Sequence, residues 1–433
     1  MTISALLLLV LFFLFLAIGV RISFIIGILV MLGTLIFPIT IDVVSIAQHV
    51  SSELARSWVL ICVPLFIFLG QIIEESGIAG LMIDAFNIFF GKLPGGLAII
   101  NVVAGFFFGG ISGSAAAETA AIGGVLIPIM VEEGYPADFS TVVTITSSTL
   151  GPIVPPSILM IVFAWLTGTS VAGLFASGFI PGAFLAMTLS ILCYIISSKR
   201  QYGKKTNMRY SFKKAMAIIF KAMPVFLLPI IIVGGVLGGI FTATESASVA
   251  VVVALFLSFF IYRTLSWRKI PRMLVSTVRM TGTCILLVVF ASALSWILTF
   301  SRLPNIIAEI FISLHFSAIA YLITSCSIML ILGCFINPTA ILLMTIPLLY
   351  PSAVAIGIHP LHYALTTVVA LSFGHVTPPV GASLFIGSSI SGVPIGDLIK
   401  PLMPFLAVML FTLTILILFP WLVLFIPRLL GYI

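Results

Sequence analysis

Apolar runs follow one another along almost the whole of this chain, separated by short polar stretches. A helix needs about 20 apolar residues to cross a bilayer, and runs close to that length predict a series of membrane spans. The predicted uninterrupted spans are 3–20, 22–38, 58–75, 172–198, 218–240, 244–262, 279–300 and 404–426. Three shorter and more polar pieces, at 42–57, 78–91 and 303–315, predict amphipathic helices along the membrane interface.

Two long apolar segments carry small residues at their centre. Residues 95–131 surround Gly109–Ser114, a stretch of mostly small residues, and residues 316–352 surround Gly333–Pro338. Each segment predicts a helical hairpin that enters and leaves the membrane on the same side. The turn of the first hairpin, with its two hydroxyl groups, is a candidate binding site, although small residues also serve simply to pack membrane helices together.

Two other apolar segments are interrupted by a double proline. Residues 139–168 are broken at Pro155-Pro156 after the hydroxyl-rich stretch Thr144–Thr149, and residues 361–391 are broken at Pro378-Pro379. Proline stops a continuous helix, and the carbonyl groups set free must be buried in protein or face water. Such oxygens suit Na⁺, and helix N-termini suit a carboxylate. One break alone would indicate a proline kink, but two matched breaks favour a transport site.

The hairpins and broken helices form two copies of one pattern, at a constant offset of 223 residues and without a gap. Matching positions carry Gly or Pro far more often than 35 Gly and 24 Pro among 433 residues would give by chance. The matched pairs are Gly110 and Gly333, Pro128 and Pro351, Gly134 and Gly357, Gly151 and Gly374, Pro155 and Pro378, Pro156 and Pro379, Gly173 and Gly396, and Pro181 and Pro404. An internal duplication of this kind decides the architecture of a chain.

The composition excludes a soluble protein. The chain is 61% hydrophobic and 7% charged, whereas soluble domains carry about 25% charged residues. The net charge of +7 does not indicate nucleic-acid binding, because 13 of the 19 Lys and Arg residues lie in two short segments, 199–221 and 263–279. Basic segments beside membrane helices stay in the cytoplasm. We therefore predict an all-α polytopic membrane protein with both basic segments inside.

Counting spans outward from the basic segments gives the two copies opposite directions. The first broken helix runs from inside to outside and the second from outside to inside, provided that both hairpins are re-entrant. This arrangement is an inverted repeat with its axis in the membrane plane. The same count places Arg21, Glu74, Glu75 and Lys92 in the cytoplasm. The predicted segments are 1–57 for N-terminal scaffold helices, 58–198 for the first repeat, 199–278 for basic loops and linking scaffold helices, and 279–433 for the second repeat.

Few ionisable side chains lie within the apolar segments, and each is a functional candidate by default. Glu118 and Glu245 have similar small-residue surroundings, and a structural role at a helix end is as compatible with each as a function. Arg302 is either an interfacial arginine or a clamp for a carboxylate. The stretch Gly110–Gly113 matches the GxSG motif of intramembrane serine proteases, for which His375 could be the base. A protease, however, has no need of two inverted halves.

Five segments spread over nearly the whole chain resemble the large membrane (M) subunit of tripartite ATP-independent periplasmic (TRAP) transporters. They are Pro64–Gly70, Ser112–Glu118, Gly151–Ser157, Gly239–Glu245 and Thr377–Gly381. The resemblance implies an elevator-type transporter with two re-entrant hairpins and two broken helices, driven by at least two Na⁺ ions. It also implies a small four-helix membrane subunit (Q type), a periplasmic substrate-binding protein (P type) and a location in the bacterial inner membrane. The implied cargo is an organic anion such as a C4-dicarboxylate, sialic acid or another sugar acid.

Carried over onto this sequence, the resemblance implies two Na⁺ sites and one anion site. The first Na⁺ site would use Ser112, Ser114, Ser148 and Gly151, and the second Gly333, Asn337, Thr377 and Gly381. The substrate would contact Arg302, Thr149 and Asn337. Asn337 stands where many relatives carry an acidic residue, and Glu118 stands where Asp is frequent.

The leading hypothesis is a secondary-active, Na⁺-coupled importer of an organic anion rather than an enzyme. A Walker A motif is absent from the sequence, which argues against ATP-driven transport by this chain alone. The first alternative is a stand-alone Na⁺/dicarboxylate or citrate carrier of the same superfamily, which would work without a binding protein. The alternative from a different class is the intramembrane serine protease.

Overall fold

The computed structural model describes residues 22–36, 43–203 and 211–433, together with single positions and short stretches between 7 and 20. Within this part of the chain the regular elements are helical. The helices, numbered in chain order, are α1 Ile22–Ile36, α2 Val43–Arg56, α3 Trp58–Ser76, α4 Ala79–Phe90, α5 Gly96–Ser112, α6 Ala115–Glu132, α7 Ala137–Ser147, α8 Ile158–Thr167, α9 Val171–Arg200, α10 Phe212–Leu237, α11 Ala243–Ile261, α12 Trp267–Phe300, α13 Leu303–Ser313, α14 Ala318–Gly333, α15 Pro338–Ala355, α16 Pro360–Gly374, α17 Ala382–Ser391, α18 Ile395–Leu418 and α19 Trp421–Leu429.

Among the described residues, eight helices are long and apolar enough to cross a membrane. They are α3, α6, α9, α10, α11, α12, α15 and α18. The three predicted amphipathic pieces are the short helices α2, α4 and α13. The predicted span 3–20 lies largely outside the described residues, as do Arg21, Lys204, Lys205 and Arg209.

Three predicted boundaries were wrong. Both basic segments were predicted as loops, but α10 begins at Phe212 and α12 begins at Trp267, and each helix carries basic residues in its first turns. A helix can extend beyond the bilayer, so charge at its cytoplasmic end does not stop it. The last span was predicted as 404–426, but α18 ends at Leu418 and α19 follows Pro420. Apolar residues on both sides of Pro420 concealed this break.

The duplication extends over most of the helices. The second arms of the hairpins, α6 and α15, start and end at positions that match at the 223-residue offset. Helices α4 to α9 are matched in the same order by α13 to α18. Four helices long enough to span, α9 to α12, separate the first broken helix from the second hairpin. With both hairpins re-entrant, this even number of crossings makes the two copies inverted.

The two halves are packed into each other rather than side by side. Helix α17, after the second break, packs against hairpin arm α6 of the first half. Helix α8, after the first break, packs against hairpin arm α15 of the second half. Each hairpin therefore has contacts with both broken helices, and the breaks lie in the shared interior.

An ion pair supports the predicted sidedness. Lys269, in the second basic segment, lies 2.9 Å from the carboxylate of Glu75. The Lys269 ammonium also donates to the carbonyl oxygen of Glu75, at 3.2 Å. Lys269 was assigned to the cytoplasm by the positive-inside rule and Glu75 by the count of spans, and their contact requires that they lie on the same side. Because the pair is exposed, it contributes little stability. The division into four segments stays a prediction.

Candidate functional site

The tip of the first hairpin lies directly against the first helix break. Helix α5 ends at Ser112 and α6 begins at Ala115, so the tip is a very short turn. Gly113 has φ +61°, and a β-carbon added there would lie 2.7 Å from the carbonyl oxygen of Pro156. A β-carbon on Gly109 would lie 2.9 Å from Cα of Gly151. Only glycine permits this approach of backbone to backbone, which brings the tip to the middle of the broken helix.

The predicted first Na⁺ site is assembled by this contact. Gly151 faces the backbone of Ser114, and a β-carbon on it would lie 3.2 Å from the Ser114 carbonyl carbon and 3.3 Å from the Ser148 carbonyl oxygen. Ser148 begins the short 3₁₀ turn Ser148–Leu150 that follows α7. The structure therefore brings together Ser114, Ser148 and Gly151, with Ser112 buried in the same tip.

Glu118 is the most unusual side chain of this region. It lies in the first turn of α6 and is 1% exposed. Neither of its carboxylate oxygens accepts a hydrogen bond from a side chain in the described part of the chain. A β-carbon on Gly105 would lie 2.6 Å from Oε1, and one on Gly151 would lie 2.7 Å from Oε2. The carboxylate is thus held between α5 and the first break, where an unpaired charge is very costly.

Hydroxyl and amide groups surround Glu118 on α5, α6 and α7. Thr119 donates to the hydroxyl of Ser148 at 2.8 Å. Asn101 donates to Thr144 at 2.7 Å and accepts from Ser147 at 3.0 Å. Asn101 is fully buried and was missed by the sequence analysis. The available signal was an amide within the apolar run 95–108, since buried polar groups in a membrane are rare and costly.

This donor set suits a hard cation. Within the described ranges, no three His, Cys, Asp or Glu side chains cluster as metal ligands. What converges at the first break is one carboxylate, several hydroxyls and backbone carbonyls. Oxygen ligands of this kind suit alkali and alkaline-earth cations.

The second hairpin and the second break repeat the glycine contact. A β-carbon on Gly333 would lie 2.9 Å from Cα of Gly374. The N–H of Gly381 donates to the carbonyl oxygen of Cys334 at 2.9 Å, which ties the break to the hairpin tip. Thr377 is half-buried, and its hydroxyl donates to the carbonyl oxygen of Phe373 at 2.7 Å. The backbone half of the predicted second site is therefore assembled.

The side chains of the second site differ from those of the first. Asn337 is exposed, and its Oδ1 accepts from the N–H of Thr339, so it caps α15. The position that matches Glu118 at the 223-residue offset is Ile341. His375 is buried and shares a 3.3 Å hydrogen bond with Ser383. The second site thus has no counterpart of the Glu118 carboxylate.

Comparison with known proteins decides the family. The model of the family described as "Tripartite ATP-independent periplasmic transporter, DctM component" matches residues 9–422. The chain belongs to this family. It is 35% identical to the C4-dicarboxylate TRAP transporter large permease protein DctM of Pseudomonas aeruginosa, over 88% of each chain. It is 32% identical to the sialic acid TRAP transporter large permease protein SiaM of Vibrio cholerae, over 87% of this chain and 88% of that one.

A solved structure shares the fold of this TRAP permease. The Alcanivorax borkumensis YdaH transporter, whose structure was reported to have an unusual topology, superposes with a TM-score of 0.62. It is 14% identical, with 88% of this chain and 89% of that chain covered. At this identity the likeness concerns the fold alone.

Membership in the TRAP permease family makes the chain a transporter component and not an enzyme. The geometry gives the protease alternative no support. His375 forms its hydrogen bond with Ser383, and no described hydrogen bond joins it to Ser112. Glu245 is also explained. It accepts from the N–H of Thr242 at 2.8 Å and from the Thr242 hydroxyl at 2.9 Å, a capping box at the start of α11. This role is structural.

The predicted substrate contacts Arg302 and Thr149 occupy different surroundings. Arg302 has an exposed side chain and φ +56°, and it forms the corner between α12 and α13. No described hydrogen bond or ion pair links it to a hairpin tip or a break. Thr149 is fully buried in the first break and donates to the carbonyl oxygen of Thr146 at 2.7 Å. Thr149 therefore lies in the first break, whereas Arg302 lies at the end of helix α12.

Proposed function

We propose that this TRAP permease is the large membrane subunit of a secondary-active importer that couples the inward flow of Na⁺ to the uptake of an organic anion. The main support for Na⁺ coupling is the Glu118 carboxylate. It is buried where the first hairpin meets the first break, and no described side chain pairs with it. A buried carboxylate in a membrane protein needs a compensating positive charge, from a bound cation or a bound proton. Na⁺ held by Glu118, Ser112, Ser114, Ser148 and Gly151 would supply it.

The second proposed Na⁺ site rests on backbone groups. Gly333, Thr377 and Gly381 lie at the second tip and break, and Asn337 lies in the turn of the same hairpin. Neutral carbonyl oxygens alone can replace the hydration shell of an alkali cation. With no carboxylate, we expect this site to bind Na⁺ more weakly than the first.

The proposed cargo is an organic anion, either a C4-dicarboxylate, as named for the Pseudomonas relative, or a sialic or other sugar acid, as named for the Vibrio relative. Helices α8 and α17 begin directly after the breaks, with Ser157 capping α8. Their N-termini carry partial positive charge and suit carboxylates. Thr149, Asn337 and the exposed Arg302 would complete the recognition of the anion.

The proposed partners are a small Q-type membrane subunit and a periplasmic binding protein that delivers the anion, in the inner membrane of a bacterium. The tripartite name of the family supports this. We further propose an elevator mechanism, in which the hairpins and broken helices move together as one unit. The interlocked packing of α8 with α15 and of α17 with α6 supports a common moving body.

Uptake by the reconstituted complex tests the proposed function. Proteoliposomes with the large and small subunits are expected to accumulate the anion only with an inward Na⁺ gradient and with the loaded binding protein outside. The measurement is uptake of radiolabelled C4-dicarboxylates and sialic acid, with an equal K⁺ gradient as control. Equal uptake under Na⁺ and K⁺ gradients would contradict the coupling. Uptake without the binding protein would favour the stand-alone carrier.

Reversing the charge of Arg302 is expected to lower anion uptake at least tenfold, because the guanidinium would no longer attract a carboxylate. Arg302→Lys should retain a large part of the activity, since it keeps the charge. Arg428→Glu, at another exposed helix end, is the matched control and should transport normally. Normal uptake by Arg302→Glu would remove this residue from the anion site.

A further inference from the structure

An apolar cavity lies between the second hairpin and helices α1, α12 and α13. Its volume is about 270 Å³. One wall is formed by hairpin arms α14 and α15, and the opposite wall by α1 and α12, with Phe12 and α13 at the ends. The residues that line the cavity include Leu29, Leu298, Ile328, Ile341 and Thr345.

The cavity offers nothing to bind water. Its lining is aliphatic and aromatic apart from Thr345, whose hydroxyl already donates to the carbonyl oxygen of Ile341 at 2.7 Å and lies 3.3 Å from the sulfur of Met329. A buried water needs two to four polar partners, and an apolar cavity of only about 150 Å³ stays dry and takes up apolar molecules. The ligand that suits this cavity is therefore apolar.

The cavity opens toward the bilayer through helix α14. Ile328 lines the cavity and is 38% exposed, while Ile331, farther along α14, and Phe335, just beyond the end of α14, are 58% and 56% exposed. Lining residues on the other helices are buried, since Leu29 of α1 is 2% exposed and Ile341 of α15 is 1% exposed. In a membrane protein, the apolar material beside such an opening is the acyl chains of lipid.

We propose that this cavity binds one acyl chain of a membrane lipid, inserted sideways past Ile328 until it contacts Leu29 and Ile341. The driving force is not the hydrophobic effect, since the bilayer is as apolar as the cavity. It is the contact energy gained when an otherwise empty void is filled. The chain bridges hairpin α14–α15 to α1 and α12, so its presence slows any movement of the hairpin relative to those helices.

Photo-crosslinking of the complex in vesicles tests the site. The vesicles are phosphatidylethanolamine and phosphatidylglycerol, with a small share of phosphatidylethanolamine that carries a diazirine near the end of one acyl chain. Mass spectrometry is expected to find label on the buried residues Leu29 or Ile341 as well as on exposed residues such as Met31. Label confined to exposed residues would overturn the proposal.

A variant pair separates the cavity from the general lipid surface. Leu29→Phe fills the cavity, and Met31→Phe adds the same ring on the lipid-facing side of α1, where Met31 is 60% exposed. Leu29→Phe is expected to reduce labelling of Ile341 at least fivefold, and Met31→Phe to leave it unchanged, with both proteins equally stable to heat. Unchanged labelling in Leu29→Phe would contradict the site. If Ile341 is labelled when the small subunit is absent but not when it is present, a protein helix and not a lipid covers the opening.

Discussion

Replacing Glu118 with Gln is expected to abolish Na⁺-driven uptake while the protein still folds. The carboxylate is 1% exposed and forms no ion pair with a described residue, so Na⁺ would supply its neutralising charge in the proposed site. Removing one member of a buried ion pair costs about 3–5 kcal/mol, and at about 1.4 kcal/mol per tenfold change this lowers Na⁺ affinity at least about 100-fold. Uptake at a fixed Na⁺ gradient should fall to the background of empty vesicles.

Thermal unfolding separates loss of Na⁺ binding from loss of folding. A ligand that binds only the native state raises its stability in proportion to the logarithm of its concentration. The wild-type protein should therefore unfold at higher temperature in Na⁺ than in K⁺, whereas Glu118→Gln should show little difference. In K⁺ alone the variant should be at least as stable as the wild type, because the amide carries no charge into the interior. An unaltered Na⁺ response in Glu118→Gln would exclude this residue from the ion site.

The hairpins and broken helices could be predicted from sequence because the backbone itself demanded particular residues. Gly113 needs a positive φ and contacts the carbonyl oxygen of Pro156, and the double prolines stop a helix wherever they occur. The double proline recurs at the 223-residue offset, and arms α6 and α15 begin and end at matching positions, although Ile336 stands where the first tip has Gly113. The inverted architecture followed from that pattern and from the distribution of basic residues.

The roles of individual charged residues could not be predicted in the same way. Glu118 and Glu245 have similar neighbours in sequence, yet one is buried without partners and the other caps a helix end. The neighbours that enclose Glu118 are distant in sequence, whereas the partner of Glu245 is only three residues away. Gly105 and Gly151 enclose Glu118, while Thr242 pairs with Glu245. Asn101 was missed for a related reason, since its partners Thr144 and Ser147 lie more than forty residues away.

The two halves have the same backbone contacts between hairpin tip and helix break, but different side chains beside them. Glycine contacts place each hairpin tip on its own break, at Gly109 and Gly151 and again at Gly333 and Gly374. Only the first half adds a carboxylate, because Ile341 occupies the position equivalent to Glu118. The strong site in the first half is expected to fill at low Na⁺ concentration. The weaker backbone site in the second half would then set the Na⁺ concentration at which transport saturates.

Gly374→Ala is expected to lower uptake at least tenfold by separating the second hairpin from the second break. The added β-carbon would lie 2.7 Å from Cα of Gly333 and 2.7 Å from the carbonyl oxygen of Leu330. Both neighbours are backbone atoms, so α14 and α16 must move apart, at a cost of about 1–3 kcal/mol. The hydrogen bond from Gly381 to Cys334 would be stretched by the same movement. Uptake and the Na⁺ dependence of unfolding measure the effect.

Gly396→Ala is the matched control, because Gly396 lies in helix α18 of the same half and a β-carbon there meets no atom within 4 Å. Alanine is the better helix former by about 1 kcal/mol, so this variant should transport normally and be at least as stable as the wild type. If the second site depends on close contact between the tip and the break, Gly374→Ala should retain the Na⁺ response that arises from Glu118 while losing transport. Normal uptake by Gly374→Ala would mean that this contact is not required for transport.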